Sequence, residues 1–257
     1  MDLGIAGRTA VVCASTSGLG EAIARALAAE GAHVVVSGRR GERARQIADE
    51  LPSAVGVEVD LTEPGDDERL LAAASEAFGE IDILVLNGPG PAPGPAAEVT
   101  ESDVDRAIDT LLRPHVRLVG AILPGMRQRS WGRILAVGSS GISAPLPNLV
   151  LSNLGRAALA GYLKTLAAEV AADGVTVNLL LPGRIATDRA TALDRARADR
   201  SGHSVDEIEA QVAAEIPAGR YGEPAEFGGV AAFLCSRQAS YVTGTAVRCD
   251  GGLVGSL

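Results

Sequence analysis

The residues from Thr9 to Gly31 read as strand, glycine-bearing turn and helix, and no other stretch limits the possible fold as much. Thr9-Ala10-Val11-Val12-Cys13-Ala14 is a short apolar run with β-branched members, the pattern of a strand buried on both faces of a parallel sheet. Ser15-Thr16-Ser17-Gly18-Leu19-Gly20 then supplies small, permissive residues. Leu19, Ile23 and Leu27 follow at four-residue spacing, which puts one apolar stripe on a helix that stops at Gly31. A buried strand feeding a helix in this way aims backbone N–H groups and the positive helix end at one point, which suits a pyrophosphate. A dinucleotide is therefore expected against Ser15, Ser17, Gly18, Leu19 and Gly20.

The rest of the chain repeats the unit. His33-Val34-Val35-Val36-Ser37, Val55 to Val59 and Ile81 to Leu86 read as further buried strands, with helices from Glu42 to Leu51 and Asp66 to Phe78 between them. Gly132 to Ser140, Thr176 to Leu181 and Gly244 to Gly252 add three more, and one long helix is expected from Ser102 to Met126. Strands alternating with helices imply right-handed crossovers, so the predicted fold is α/β: one Rossmann-type, doubly wound parallel sheet of about seven strands with helices on both faces. No Ser/Gly linker or charge run divides the 257 residues, so a single domain over 1–257 is expected. Ligands of such sheets gather at the carboxyl ends of the strands.

Composition excludes several classes of partner. Hydrophobic residues make up 47%, ample for a core, but their longest runs are too short to span a bilayer. A net charge of −9 with no positive stripe argues against a nucleic-acid partner. Cys13, Cys235 and Cys249 have no metal-ligand spacing and read as structural thiols, so no metal is expected. The start, Met1-Asp2-Leu3-Gly4-Ile5, lacks the basic flank and long apolar run of a signal peptide, which makes the cytoplasm the expected compartment.

The end of the second strand carries the cofactor preference. An acidic side chain here accepts ribose hydroxyls of NAD, whereas a 2′-phosphate favours an arginine. Gly38 occupies the acid's place and Arg39-Arg40 follows, so NADP(H) is predicted over NAD(H), with Arg39 the main contact and Arg40 a lesser one. The same two residues also fit the solvated start of the next helix.

Cys13-Ala14-Ser15-Thr16-Ser17-Gly18-Leu19-Gly20 resembles the T-G-x-x-x-G-x-G fingerprint of the short-chain dehydrogenase/reductase family, and Asp250-Gly251-Gly252 resembles its usual close. Ala14 stands where the first glycine is usual, at little cost if its φ is negative. The family's N-N-A-G is here Leu86-Asn87-Gly88-Pro89, leaving Asn87 and Gly88 as cofactor-side backbone. By the same resemblance Asp60, with Leu61, meets the adenine. Pro182-Gly183-Arg184-Ile185-Ala186-Thr187 is similar to P-G-x-I-x-T, which assigns Pro182, Gly183, Ile185 and Thr187 to the nicotinamide end. The chain looks most like the 3-oxoacyl carrier-protein reductase-like branch. That resemblance implies an NADPH-dependent ketoreductase acting on a small or polyketide-like carbonyl, as a homodimer or homotetramer.

The resemblance fails at the chemical centre. Ser139 aligns with the family's catalytic serine, but thirteen residues on, where Tyr-x-x-x-Lys is expected, the chain reads Ser152-Asn153-Leu154-Gly155-Arg156. Residues at i and i+4 share a helix face, so Ser152 and Arg156 are expected to point where the Tyr and Lys point. An aliphatic hydroxyl titrates far above a phenol, and a guanidinium holds its charge, so this pair orients groups more readily than it moves protons. Tyr162, Tyr221 and Tyr241 offer no replacement by spacing. Leu111 falls where the family's relay asparagine is usual, with His115 one turn later on the same face, as a substitute or as a packed side chain. Three readings stay open: a ketoreductase of altered proton route, a non-redox enzyme performing dehydration, cyclisation or isomerisation, and a cofactor-binding module without turnover. The polar segment from Asp188 to Gly219, broken at Ser201-Gly202-His203, is expected to form the substrate lid.

Overall fold

The computed structural model describes residues 2–255. Seven parallel strands form one sheet in the order β3-β2-β1-β4-β5-β6-β7. They run as β1 Thr9–Val12, β2 His33–Gly38, β3 Ala54–Glu58, β4 Ile81–Leu86, β5 Gly132–Val137, β6 Val175–Pro182 and β7 Ala246–Cys249. Thr9 pairs with His33, and Val12 pairs with both Val36 and Val85, which makes β1 central and brings its C-terminal turn to the point where strand order reverses.

Helices cover both faces because the central strands are apolar on both. On one side α1 (Gly18–Ala29), α2 (Gly41–Asp49) and α9 (Pro224–Leu234) close over Val12, Val34, Val36 and Val85 through Ile23, Leu27, Ile47 and Phe227. On the other, α3 (Asp66–Phe78), α5 (Arg113–Gln128) and α6 (Val150–Val170) pack Leu70, Leu118, Met126, Leu159 and Leu163 on Val11, Val35, Leu84 and Ile134. Beyond β6, α7 (Asp188–Ser201) and α8 (Val205–Glu215) share a small core of Ala198, Ile208, Val212 and Ile216. Gly202 ends α7 at φ +73, a left-handed cap that glycine adopts without penalty.

Two local expectations are corrected. The helix expected from Ser102 to Met126 is two: α4 (Glu101–Leu111), closed by a Thr100/Asp103 capping box, and α5, with Leu112 between them outside helical geometry. Pro114 has no N–H to give the Thr110 carbonyl, so the chain breaks there and restarts. The first strand stops at Val12, and Ala14 takes φ +46. Its backbone is thus in the left-handed region that L-residues avoid, and the low cost expected for alanine does not hold.

Candidate active site

The carboxyl ends of β1, β2, β4, β5 and β6 open into one cavity of about 1310 Å³. At its first wall, α1 starts from Ser17 with no side chain capping its first turn, and Gly18 sits at φ +56. A β-carbon on Gly18 would project to within 3.6 Å of Thr187 across the cradle. Uncapped N–H groups beside a glycine-lined hollow fit a pyrophosphate. Ser17, Gly18 and Leu19 line this wall, but Ser15 and Gly20 do not. Ser15 is turned inward, its hydroxyl donating to Val12 O at 2.7 Å and accepting from Ser37 N–H at 2.9 Å, so it ties β1 to β2. Gly20 is buried where a β-carbon would lie 2.4 Å from the Ala14 carbonyl, so it permits close packing of helix on turn. Asn87 completes that corner by donating from Nδ2 to Ala14 O at 3.0 Å.

At the β2 end, Arg39 and Arg40 differ in freedom. Arg39 has a side chain 70% exposed, with only a 4.0 Å ion pair to Asp60. Arg40 donates from Nη2 to Thr16 O at 2.8 Å and from Nε to Thr16 Oγ1 at 3.3 Å, which folds it against the turn. Thr16 was not singled out by sequence, although it lines the cavity and would also sit 3.1 Å from a β-carbon on Gly38. Asp60 accepts from Thr62 N–H and Oγ1, and Leu61 follows it on the cavity wall.

At the opposite end, Ser139, Ser152 and Arg156 border the cavity together with Gly88, Pro182, Gly183, Ile185 and Thr187. Ser139 lies two residues past β5 and accepts from Gly141 N–H at 3.0 Å through its Oγ. That bond occupies a lone pair and leaves the hydroxyl proton to be donated. Ser152 sits in the first turn of α6. Arg156, one turn on, donates to the Val137 carbonyl at the end of β5, and burial, helped by the charge of Arg189, pushes its guanidinium down to about 10. Among the described residues, that backbone carbonyl is its only hydrogen-bond partner.

None of the three tyrosines borders the cavity. Tyr221 donates its phenol to Asp194 Oδ2 at 2.8 Å, and burial pushes its pKa up. His115 does border it: the ring is 3% exposed, and Nδ1 lies 2.9 Å from Leu111 O. Burial pushes its pKa down to about 4, against the upward pull of the Leu111 and Asn87 backbone, so the ring is neutral at physiological pH. Cys13 is wholly buried and pushed up to about 12, which makes it an inert packing thiol.

The cavity is roofed by two segments. The Pro/Gly loop after β4 meets the segment before α6 through Gly94 N–H to Asn148 O at 2.8 Å, and Asn148 takes φ +58, a conformation asparagine tolerates. From the other side α7 contributes Arg189, which donates to Pro91 O at 3.0 Å and closes over the loop. Asp194, 1% exposed, anchors α7 by accepting from Tyr221 and lying 3.5 Å from Arg184 Nη1.

A parallel sheet of this order, with an uncapped helix start at one end of a cavity of about 1310 Å³ and a serine at the other, defines a Rossmann-type nucleotide-dependent enzyme. Residues 13–254 match the family described as Enoyl-(Acyl carrier protein) reductase. Dehydrogenase/reductase SDR family member 4 of Oryctolagus cuniculus is 36% identical over 253 residues, covering 96% of this chain and 94% of that protein. The 3-oxoacyl-[acyl-carrier-protein] reductase FabG of Vibrio cholerae is 34% identical, covering 98% and 99%. The crystal structure of L-sorbose reductase from Gluconobacter frateurii, complexed with NADPH and L-sorbose, superposes over 100% of both chains with a TM-score of 0.94 at 33% identity. The chain belongs to the short-chain dehydrogenase/reductase family, and it is an NAD(P)-dependent oxidoreductase. No helix among the described residues is long and apolar enough to cross a membrane.

Proposed function

We propose that the protein is an NADPH-dependent reductase of a small or polyketide-like carbonyl, working without a phenolic acid. Ser17, Gly18 and Leu19 hold the pyrophosphate by their backbone, and Arg39, with Arg40 behind it, takes the 2′-phosphate. Asp60 and Leu61 flank the adenine. Asn87, Gly88, Pro182, Gly183, Ile185 and Thr187 frame the nicotinamide, and Arg156 forks onto its ribose. Ser15 and Gly20 serve the cofactor indirectly, by shaping the turn. The cofactor, when bound, supplies the hydride to the carbonyl carbon.

On this reading Ser139 and Ser152 are hydrogen-bond donors to the carbonyl oxygen, and water delivers the proton that the nascent alkoxide requires. Ser152 and Arg156 stand in the seats of the family's Tyr and Lys. The observation that carries the proposal is the bond from Gly141 N–H to Ser139 Oγ, which leaves the serine proton free for a ligand in the cavity. Helices α7 and α8 act as the lid, and the chain works as a homo-oligomer in the cytoplasm.

The test follows NADPH absorbance across a panel of ketones. Turnover is expected, and Ser139→Ala is expected to lower kcat/KM by roughly 10²–10³, the usual cost of one oxyanion donor. NADPH binding without reduction of any carbonyl would instead favour the non-redox reading, to which the lack of a phenol among the described lining residues already points.

A further inference from the structure

The cavity wall is charged against the sign of the whole protein. The chain carries a net charge of −9, yet ten arginines and four aspartates line this one cleft. Several of those arginines have their charge met elsewhere. Arg117 pairs with Asp67 at 2.6 Å, Arg113 with Asp109 at 2.8 Å, and Arg184 faces Asp194, while Arg40, at the other end of the cleft, is folded onto the Thr16 carbonyl and hydroxyl. Arg39 lies at the far, adenine end beside Asp60. Near the reacting end, Arg156 and Arg189 are different: each donates to a backbone carbonyl, Val137 O and Pro91 O, and neither has a carboxylate partner among the described residues.

These two guanidiniums reach the cavity from different helices. Arg156 rises from α6 at the end of β5, beside Ser152. Arg189 descends from the first turn of α7 and lies across Gly90, where a β-carbon would come within 3.0 Å of its Nη2. They are close enough for the charge of Arg189 to depress the pKa of Arg156. Asp188, next to Arg189 in the chain, also borders the cavity but makes no ion pair with it. Two like charges bordering one cavity, neither paired with a carboxylate, raise each other's energy, and an anion bound there lowers both.

We propose that Arg189, with the charge of Arg156 nearby, is a seat for a carboxylate carried by the carbonyl substrate, which makes the natural substrate an oxo acid. The guanidinium fork of Arg189 matches a planar carboxylate, and its lid position couples anion capture to closure over the Pro/Gly loop. The inference rests on the reductase reading for the word substrate, but not for the anion site itself. Cofactor phosphates are a separate source of negative charge, so the test is made with cofactor in place.

The experiment titrates the NADP⁺-loaded protein, which cannot turn over a ketone, with acetoacetate, 2-oxobutanoate and levulinate, each against its own methyl ester. In at least one pair the acid is expected to bind tenfold or more tightly than the ester, with the preference shrinking as salt rises. Arg189→Ala is expected to bring acid and ester within about twofold of each other, and Arg189→Lys to keep part of the preference, while NADP⁺ affinity reports that each variant is folded. Equal binding of acid and ester in every pair, or an acid preference untouched in Arg189→Ala, overturns the proposal. Failure of NADP⁺ to bind sinks the reductase reading alone, and the same acid and ester pairs are then compared on the cofactor-free protein.

Discussion

The two ends of the cleft solve different problems with different tolerance for substitution. At the proposed adenine end the work is to hold charge and shape, a task for backbone N–H groups, a largely exposed Arg39 loosely paired with Asp60, and a buried Ser15 linking two strands. At the carbonyl end the proposed work includes moving a proton, which depends on pKa as well as on position. There, Ser152 and Arg156 border the same space as Ser139, and His115, the histidine among the described lining residues, is held neutral by burial. Geometry survives substitution more easily than acidity, because a helix face is set by spacing while a pKa is set by the atom carrying the proton.

The sharpest way to break the comparison is to restore acidity without moving anything else. Ser152→Tyr with Arg156→Lys is expected to raise generic ketone reduction by roughly 10²–10⁴, the range that a positioned acid contributes. Steady-state NADPH oxidation measures it. No gain, in a variant that still binds NADPH, would mean that these two positions are not the acid-base seats and that the ends of the cleft differ for another reason.

Burial at the carbonyl end has its own signature in pH. The folded pKa of His115 is about 4 and its ordinary value is 6.5. Above pH 6.5 both folded and unfolded chains carry a neutral ring, so the residue adds no pH dependence. Below it the unfolded chain binds a proton that the folded chain refuses, and stability falls until pH reaches about 4, by ~3 kcal/mol in total. Denaturant melts at pH 7.5 and 4.5 should show this loss, and His115→Asn should remove most of it. An unchanged acid slope in the variant would place the ring in contact with water. His115 would then be a candidate proton relay.

At the adenine end the expected effect is smaller and selective. Arg39→Ala should weaken NADPH by roughly ten- to hundredfold while leaving NADH nearly unchanged, since only the 2′-phosphate is lost as a partner. Arg40→Ala should cost less, because its Nη2 and Nε are already engaged by Thr16. Direct titration with both coenzymes separates the cases. Equal weakening of NADPH and NADH would assign Arg39 to the turn and not to the phosphate.

How much of this was legible in the sequence follows the same division. Strands such as Val34-Val35-Val36 and Ile83-Leu84-Val85 are buried on both faces, so their apolar runs mark the parallel sheet without ambiguity. The turn after β1, the Pro182–Thr187 segment and the Ser152/Arg156 spacing were readable because each is local. The break at Leu112 was hidden by apolar periodicity that continues across it, although Pro114 was the available signal. Ser15 and Gly20 belong to the motif, yet their direction depends on how β1, β2 and α1 pack, which no motif states. Arg189 was lost among the other arginines of α7. Which of its faces meets the cavity is decided by Asp194 and Tyr221, whose contact spans 27 residues of chain.

One departure crosses to the holding end, and it tests whether that end is as tolerant as the comparison claims. Ala14 borders the cavity at φ +46, with its carbonyl taken by Asn87 Nδ2 at 3.0 Å. An L-residue in that region costs roughly 1–2 kcal/mol, and glycine escapes the cost but loses about 0.5–1 kcal/mol through the greater freedom of its unfolded chain. Ala14→Gly is therefore expected to stabilise by about 0.5–1 kcal/mol, a rise in Tm of roughly 1–3 °C for a chain of this size. The Asn87 bond and the close approach of Gly20 use backbone atoms and survive the change, so NADPH affinity should hold or tighten slightly. A lower Tm would mean that the alanine methyl packs well enough to offset its backbone. The first glycine of the fingerprint would then be dispensable here for a packing reason, and the tolerance of this end would extend to its tightest turn.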